Sequence, residues 1–349
     1  MGLAERQGPV VKGVHIPHYM GGFSQMSKKN SRRLITIGLI LILGVVFGFT
    51  NEYFLTTRNI FLLLRDCAYT GLIALGVVCV MVSGGVDLSA GGVVCIIGVV
   101  TARISLIAGI PGIVVVLISI IAGMVCGLLN GLIVTKLHLS EFVTTLATGF
   151  VFTGLALLTT FREYGRIVTK VLTNSSFLAF GRHINGLYYV SIVWLVCIVV
   201  MQLMFTKTRL GLYISALGSN PKAAQMSAVN CTLIKVAGFM ICGAFCALSA
   251  FFMVSYQSST TQTLGTGMEF QAIAACVVGG VVLGGGKGDA LSAFLGTVFM
   301  VLIKNGLYKW GLSTGGFVML QGLIIIAIAN FDTLFGSLTR KRLAPSEKR

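Results

Sequence analysis

Two acids stand where acids are costly. Asp87 lies in SGGVDLSAGG (Ser83–Gly92) and Glu269 in GTGMEFQA (Gly265–Ala272), both beside runs apolar enough to cross a bilayer, in a chain only 10% charged. A carboxylate at a helix start meets the positive end of the helix dipole and free backbone N–H groups, which favour its charged form. An acid held that way can cap the helix and shape a gate, or touch a solute on its way through; both readings stay open. Ser89 follows Asp87 by two residues and belongs to the same stretch. Asn130 and Asn305 lie at span ends, each followed by glycine, and suit interhelical hydrogen bonding or the lining of a pathway. Other chemistries find less support. Proton relays need several acids mid-span, catalysis within a membrane needs paired acids, Ser–His or metal ligands, and no histidine lies deep in an apolar run. His15 and His18 occupy a Gly- and Pro-containing tail, and the nine cysteines form no Cys-x-x-Cys pair, so no metal site is expected.

The elements that must position these residues are membrane helices. The chain has 349 residues, 56% of them hydrophobic, against about 25% charge in an ordinary soluble domain. Its 44 glycines suit helices packed through small-residue faces. Apolar runs near the spanning length of about 20 residues recur along the chain. We read an all-α polytopic membrane protein of ten spans: 34–50, 60–82, 91–108, 112–135, 142–161, 187–205, 232–254, 269–283, 291–307 and 317–331. Residues 1–33 form a basic tail without a signal-peptide cleavage pattern, 34–335 the transmembrane domain and 336–349 a second basic tail. Lys and Arg favour the cytoplasmic side, which places both termini inside. The loop holding Arg162, Arg166, Lys170 and Arg182 disagrees, since it would face outward. The net charge of +16 reflects orientation and anionic headgroups, not a nucleic-acid surface.

An internal repeat links the two acids. Gly85-Val86-Asp87-Leu88-Ser89-Ala90 and Gly267-Met268-Glu269-Phe270-Gln271-Ala272 share the order glycine, apolar, acid, apolar, polar, alanine. NGLIVTKLHLSEFV from Asn130 and NGLYKWGLSTGGFV from Asn305 share Asn-Gly-Leu and a closing Phe-Val. Spans two to five then pair with spans seven to ten. The five-span offset inverts the copies, as in transporters whose pathway runs between two halves.

One inner loop, residues 206–231, points to a partner. Arg209–Leu217 reads as a short amphipathic helix broken at Gly218, and Asn220-Pro221 as the cap and first position of another turn carrying Ala223 and Ala224. Small residues exposed on such a knob suit docking by a soluble protein. GGGKGD (Gly284–Asp289) lacks the Ser or Thr and the first glycine of a phosphate loop, so the chain has no nucleotide site of its own and reads as a glycine turn there.

SGGVDLSAGG, GSNPKAAQMSAVN and GMEFQAIAACVVGGVVLGGGKGD together resemble the permease subunit of bacterial ATP-binding-cassette importers of the ribose and simple-sugar class, over nearly the whole chain from the second span. The resemblance implies an inner-membrane transport subunit that is not an enzyme and binds no cofactor directly. It implies a second permease chain, identical or not, a periplasmic solute-binding protein, and a cytoplasmic ATPase that uses ATP–Mg. The family's ATPase-docking loop maps onto Gly218, Asn220, Ala223 and Ala224, and the expected pathway or gate residues are Asp87, Ser89, Asn130, Glu269 and Asn305. The sequence departs from the family pattern at Gln271, Glu141, Lys304 and Ala228, positions near the expected gate. The alternative is a secondary transporter driven by an ion gradient. The basic loop 162–186 is expected to dock a receptor.

Overall fold

The computed structural model describes residues 21–160, 162–163, 166–167, 170–261, 263–324 and 326. Most of the first expected tail, all of the second, and the end of the tenth expected span lie outside these residues. Seven described helices are long and apolar enough to cross a membrane: α1 (Gly21–Thr50, apolar from Arg33), α2 (Thr57–Val82), α4 (Gly112–Lys136), α5 (Glu141–Thr159), α7 (Tyr189–Lys207), α10 (Cys231–Gln257) and α12 (Ala290–Lys309). Three apolar helices are shorter: α3 (Ala90–Ser105), α11 (Met268–Val278) and α13 (Thr314–Ile324). Small helices α6 (Ser175–Leu178), α8 (Arg209–Ser219) and α9 (Pro221–Met226) occupy the connections. The protein is a polytopic helical membrane protein.

Sequence and structure differ in three places. The run expected as 269–283 is helical only to Val278, because Gly279 and Gly280 follow and Gly280 takes a left-handed φ of 98°. At 1.5 Å per residue, α11 is about 16 Å long, half of a hydrocarbon core of about 30 Å. The all-α reading omits strands in the expected outer loop. Segment 160–188 holds two antiparallel pairs, β1 (Arg162–Glu163) with β2 (Arg166–Ile167) and β3 (His183–Ile184) with β4 (Leu187–Tyr188). Gly218 does not break α8, which runs to Ser219.

Helix starts follow local capping chemistry. Thr56, Asn230 and Asp289 each accept a backbone N–H three residues on, opening α2, α10 and α12. Pro111 opens α4. Packing then sorts the helices. Residues 67–83 of α2 and its end are all buried, which explains why this helix is apolar on every side. α2 packs on α10, α11, α12 and α7, whereas α10 packs on α2, α3 and α4. The α4–α10 contact is made by main chain: a Cβ on Gly123 would overlap the Gly243 carbonyl, and one on Gly127 the Phe239 carbonyl. Small-residue contacts of this kind replace the hydrophobic drive inside lipid. Apolar side chains such as Leu41, Phe49, Leu117, Phe150, Leu158 and Val199 point outward for the acyl chains.

The two ends of the bundle are distinct. At one end α8 and α9 pack near the end of α2 and the turn before α12. At the other, Leu172 N–H donates to Ser258 O at 2.9 Å, and Asn174 Nδ2 reaches Ser105 O and Ile110 O at 3.1 and 3.0 Å. There Arg65 donates to Asp66 and lies over the rings of Tyr69, Tyr188 and Tyr256, 5.9, 5.4 and 4.4 Å from their centroids. This cation–π cage fastens the β3–β4 hairpin to α2 and α10.

Candidate functional site: two helix starts meeting inside the bundle

The break between α2 and α3 is built by its glycines and serines. Gly84 takes φ 93° and its N–H donates to Met81 O at 3.0 Å, while Gly85 N–H donates to Val80 O at 3.0 Å. Together these bonds end α2. The chain then turns back into the bundle before α3 begins. Asp87, 2% exposed, accepts the Ser89 N–H at 2.8 Å and the Ser89 hydroxyl at 2.6 Å through one carboxylate oxygen. Ser89 Oγ in turn accepts from Asn130 Nδ2 of α4 at 2.7 Å. Asp87 thus lies three residues before the first residue of α3, and its position is fixed by a buried polar chain rather than by solvent.

The far half supplies the second acid. Glu269 is the second residue of α11, and its Oε2 presses on Gly91 at the start of α3, where any Cβ would collide with it. Gly91 lies two residues beyond Ser89, which holds Asp87, so the two acids flank the same helix start. Cys95 Sγ donates to Leu264 O at 2.6 Å, and a Cβ on Gly98 would lie 2.6 Å from Leu264 Cδ2, so the first turns of α3 lie along the approach to α11. Two short helices therefore start close to one another, each with an acid at its positive end. Such an arrangement presents polar backbone and charge only where protein surrounds it.

The structure brings Asp87, Ser89, Asn130 and Glu269 together. Asn305 is elsewhere. It forms a reciprocal amide pair with Asn59 at the other end of α2, with Nδ2 to Oδ1 distances of 2.9 and 3.2 Å. Asn59 also donates to Phe54 O at 2.8 Å. Sequence reasoning overlooked Asn59, as well as Thr145, which accepts the Leu88 N–H at 3.1 Å from α5. No local signal marks either residue.

The expected docking segment touches this break directly. Gly218, in the last turn of α8, packs so closely that a Cβ would overlap Val82 O. Val82 O also accepts the Gly286 N–H at 2.8 Å, and a Cβ on Gly285 would lie 2.7 Å from Gly84 Cα and 2.9 Å from Gly218 Cα. Three glycines from α8, the α2–α3 break and the 279–289 turn thus share one junction. Gly285 and Gly286, with φ 86° and 77°, form the glycine turn expected at Gly284–Asp289. Asn220 caps α9 by accepting the Ala223 N–H at 3.1 Å; Ala223 is exposed, whereas Ala224 is buried against the bundle.

Comparison with known proteins decides the class. Residues 59–329 match the family described as "Branched-chain amino acid transport system / permease component". The chain is 33% identical over 294 residues to the ribose import permease protein RbsC of Bacillus subtilis, covering 84% of this chain and 90% of the relative. It is 31% identical over 298 residues to RbsC of Escherichia coli, covering 85% and 92%. It is 32% identical over 310 residues to the galactose/methyl galactoside import permease protein MglC of Haemophilus influenzae, again covering 85% and 92%.

The chain belongs to this permease family. No solved structure matches it. The permease is a transmembrane subunit of an ABC importer, seated in the inner membrane, and is a transport component rather than an enzyme. Hydrolysis of ATP falls to a separate ATPase, and a periplasmic binding protein completes the system.

Proposed function

We propose that the permease carries a pentose or hexose, handed over by its binding protein, through a route that passes the two acid-bearing helix starts. The observation that carries this reading is the meeting of Glu269 with Gly91 beside the buried Asp87–Ser89–Asn130 chain. Relatives named for ribose and galactose import at over 30% identity favour a sugar. The two sequence repeats and the crossed packing, α2 on α11 and α12 and α10 on α3 and α4, favour inverted halves that rock about the acids, with ten membrane segments, α11 reaching only part-way across, and both tails in the cytoplasm. Asp87, Ser89, Asn130 and Glu269 form the gate, and the Asn305–Asn59 pair steadies the pathway at the outer end. α8 and α9, with Gly218, Asn220, Ala223 and Ala224, take the push of the cytoplasmic ATPase, which alone uses ATP–Mg. Two permease chains, held among anionic lipids, enclose the route, and Lys170 and Arg182 in the outer loop meet the binding protein.

The test is reconstitution in proteoliposomes. With the ATPase and binding protein present, ATP should drive uptake of radiolabelled ribose or galactose, and omission of either partner should stop it. Sugar accumulation by the permease alone under a proton or sodium gradient would refute the reading in favour of a secondary carrier.

A further inference from the structure

Glu141 begins α5, and one of its oxygens pairs with Lys235 of α10. Its other oxygen, Oε2, is buried with no hydrogen-bond partner and presses on Gly85, where a Cβ would overlap it. One carboxylate thus touches both the break before Asp87 and the beginning of α10. The next turn of α5 adds to this grip: Thr145 Oγ1 accepts the Leu88 N–H at 3.1 Å, and a Cβ on Gly149 would lie 3.2 Å from Leu88 O. On the other side, only four residues separate the end of α9 from the start of α10, and the Val229 N–H donates back to Ala224 O at 3.2 Å. Lys235 is therefore one turn into the helix that any displacement of α9 moves first.

A cavity of about 400 Å³ borders the pair, its lining mixing His138, Gln225 and Thr232 with Val134 and Leu139. It leaves space for α5 and α10 to shift against each other while the charges stay in reach. The pair also crosses the two sequence copies, since α5 belongs to the first and α10 to the second. A buried ion pair is weak support for stability, because desolvation offsets much of the attraction. Its value here is directional.

We infer that Glu141 and Lys235 are a positioning pair, a strut that passes motion from α9 and α10 to the Gly84–Ser89 break. This rests on the proposed role of α8 and α9 as the segment driven by the ATPase. A second route already runs through Gly218; the strut adds one through α5, so that the break is held from both sides.

The experiment uses Glu141→Gln, Lys235→Met and the exchanged pair Glu141→Lys with Lys235→Glu, each in the full complex with ATPase and binding protein. Each single variant should lower ribose or galactose uptake about tenfold, the scale of coupling changes along a mechanical network, while ATP hydrolysis persists, so that more ATP is spent per sugar. The exchanged pair should restore most of the uptake. Hydrogen–deuterium exchange on the purified permease in nanodiscs supplies a readout independent of transport: residues 83–89 should exchange faster in each single variant and return toward normal in the exchanged pair. Unchanged exchange there, or uptake and hydrolysis falling in parallel with no recovery by the exchanged pair, overturns the strut. If the unmodified complex carries neither sugar, the substrate reading fails, and the exchange data still decide the strut.

Discussion

Replacing Gly218 with alanine tests the three-glycine junction with a single methyl group. The added Cβ would overlap Val82 O and lie 2.5 Å from Gly286 N. Both neighbours are main chain and cannot rotate away. Overpacking at such a contact costs about 1–3 kcal/mol. Wedging Gly286 from Val82 O also weakens a bond of 2.8 Å worth about 1 kcal/mol. The total, about 2–4 kcal/mol, falls only on conformations in which α8 touches the break. At 1.4 kcal/mol per tenfold, this shifts the balance between docked and undocked arrangements by about 30- to 700-fold. Uptake by the reconstituted complex should therefore collapse while the ATPase still co-purifies with the permease through the exposed surface of α9. Gly38→Ala serves as control, since a Cβ there meets nothing within 4 Å. Uptake in Gly218→Ala equal to that control would refute the argument that main-chain contact at this junction transmits the stroke.

Four further outcomes follow from the same contacts. Asp87→Asn keeps an acceptor for Ser89 but removes the charge beside Glu269, and should reduce uptake strongly with little change in the amount of folded protein seen by size-exclusion chromatography. Asn305→Ala should lower unfolding free energy in detergent by about 0.5–2 kcal/mol, the range for polar contacts between membrane helices. Adding Asn59→Ala to it should cost less than the sum of the two single changes, because each removes the same reciprocal pair. Gly123→Val, which drives a branched side chain into the Gly243 carbonyl, should abolish recovery of folded protein, as measured by fluorescence-detected chromatography. Gly91→Ala should displace Glu269 and lower uptake, with Glu269→Gln in the same background recovering none of it if the charge itself is required.

Long apolar runs and their punctuation were legible in the sequence. The run read as 112–135 is helical from Gly112 to Lys136, and that read as 60–82 begins three residues earlier, at Thr57. The repeated glycine–apolar–acid motif singled out Asp87 and Glu269, and the structure sets Glu269 against Gly91 and Asp87 on Ser89, at neighbouring points of one helix start. What the sequence hid arises where helices cross. Glu141 and Lys235 are 94 positions apart, and Asn59 and Asn305 are 246 apart, so no local period joins them. Gly218 was misread for a physical reason. Glycine permits a break, but here it serves close approach to Val82 O while the helix continues. The short reach of α11 was hidden in the same way, since hydrophobicity continues to Leu283 after the double glycine has already stopped the helix.

The amide pair between Asn59 and Asn305 gives α2 a fulcrum. Held near its first turn by two hydrogen bonds to α12, this 26-residue rod is about 39 Å long and ends at the buried Val82, whose carbonyl accepts the Gly286 N–H. A tilt of only about five degrees about that fulcrum sweeps the tip through about 3 Å, roughly two residues' worth of helical rise. On the proposed coupling through α8, a short stroke at that end travels along one buried rod through the full depth of the membrane.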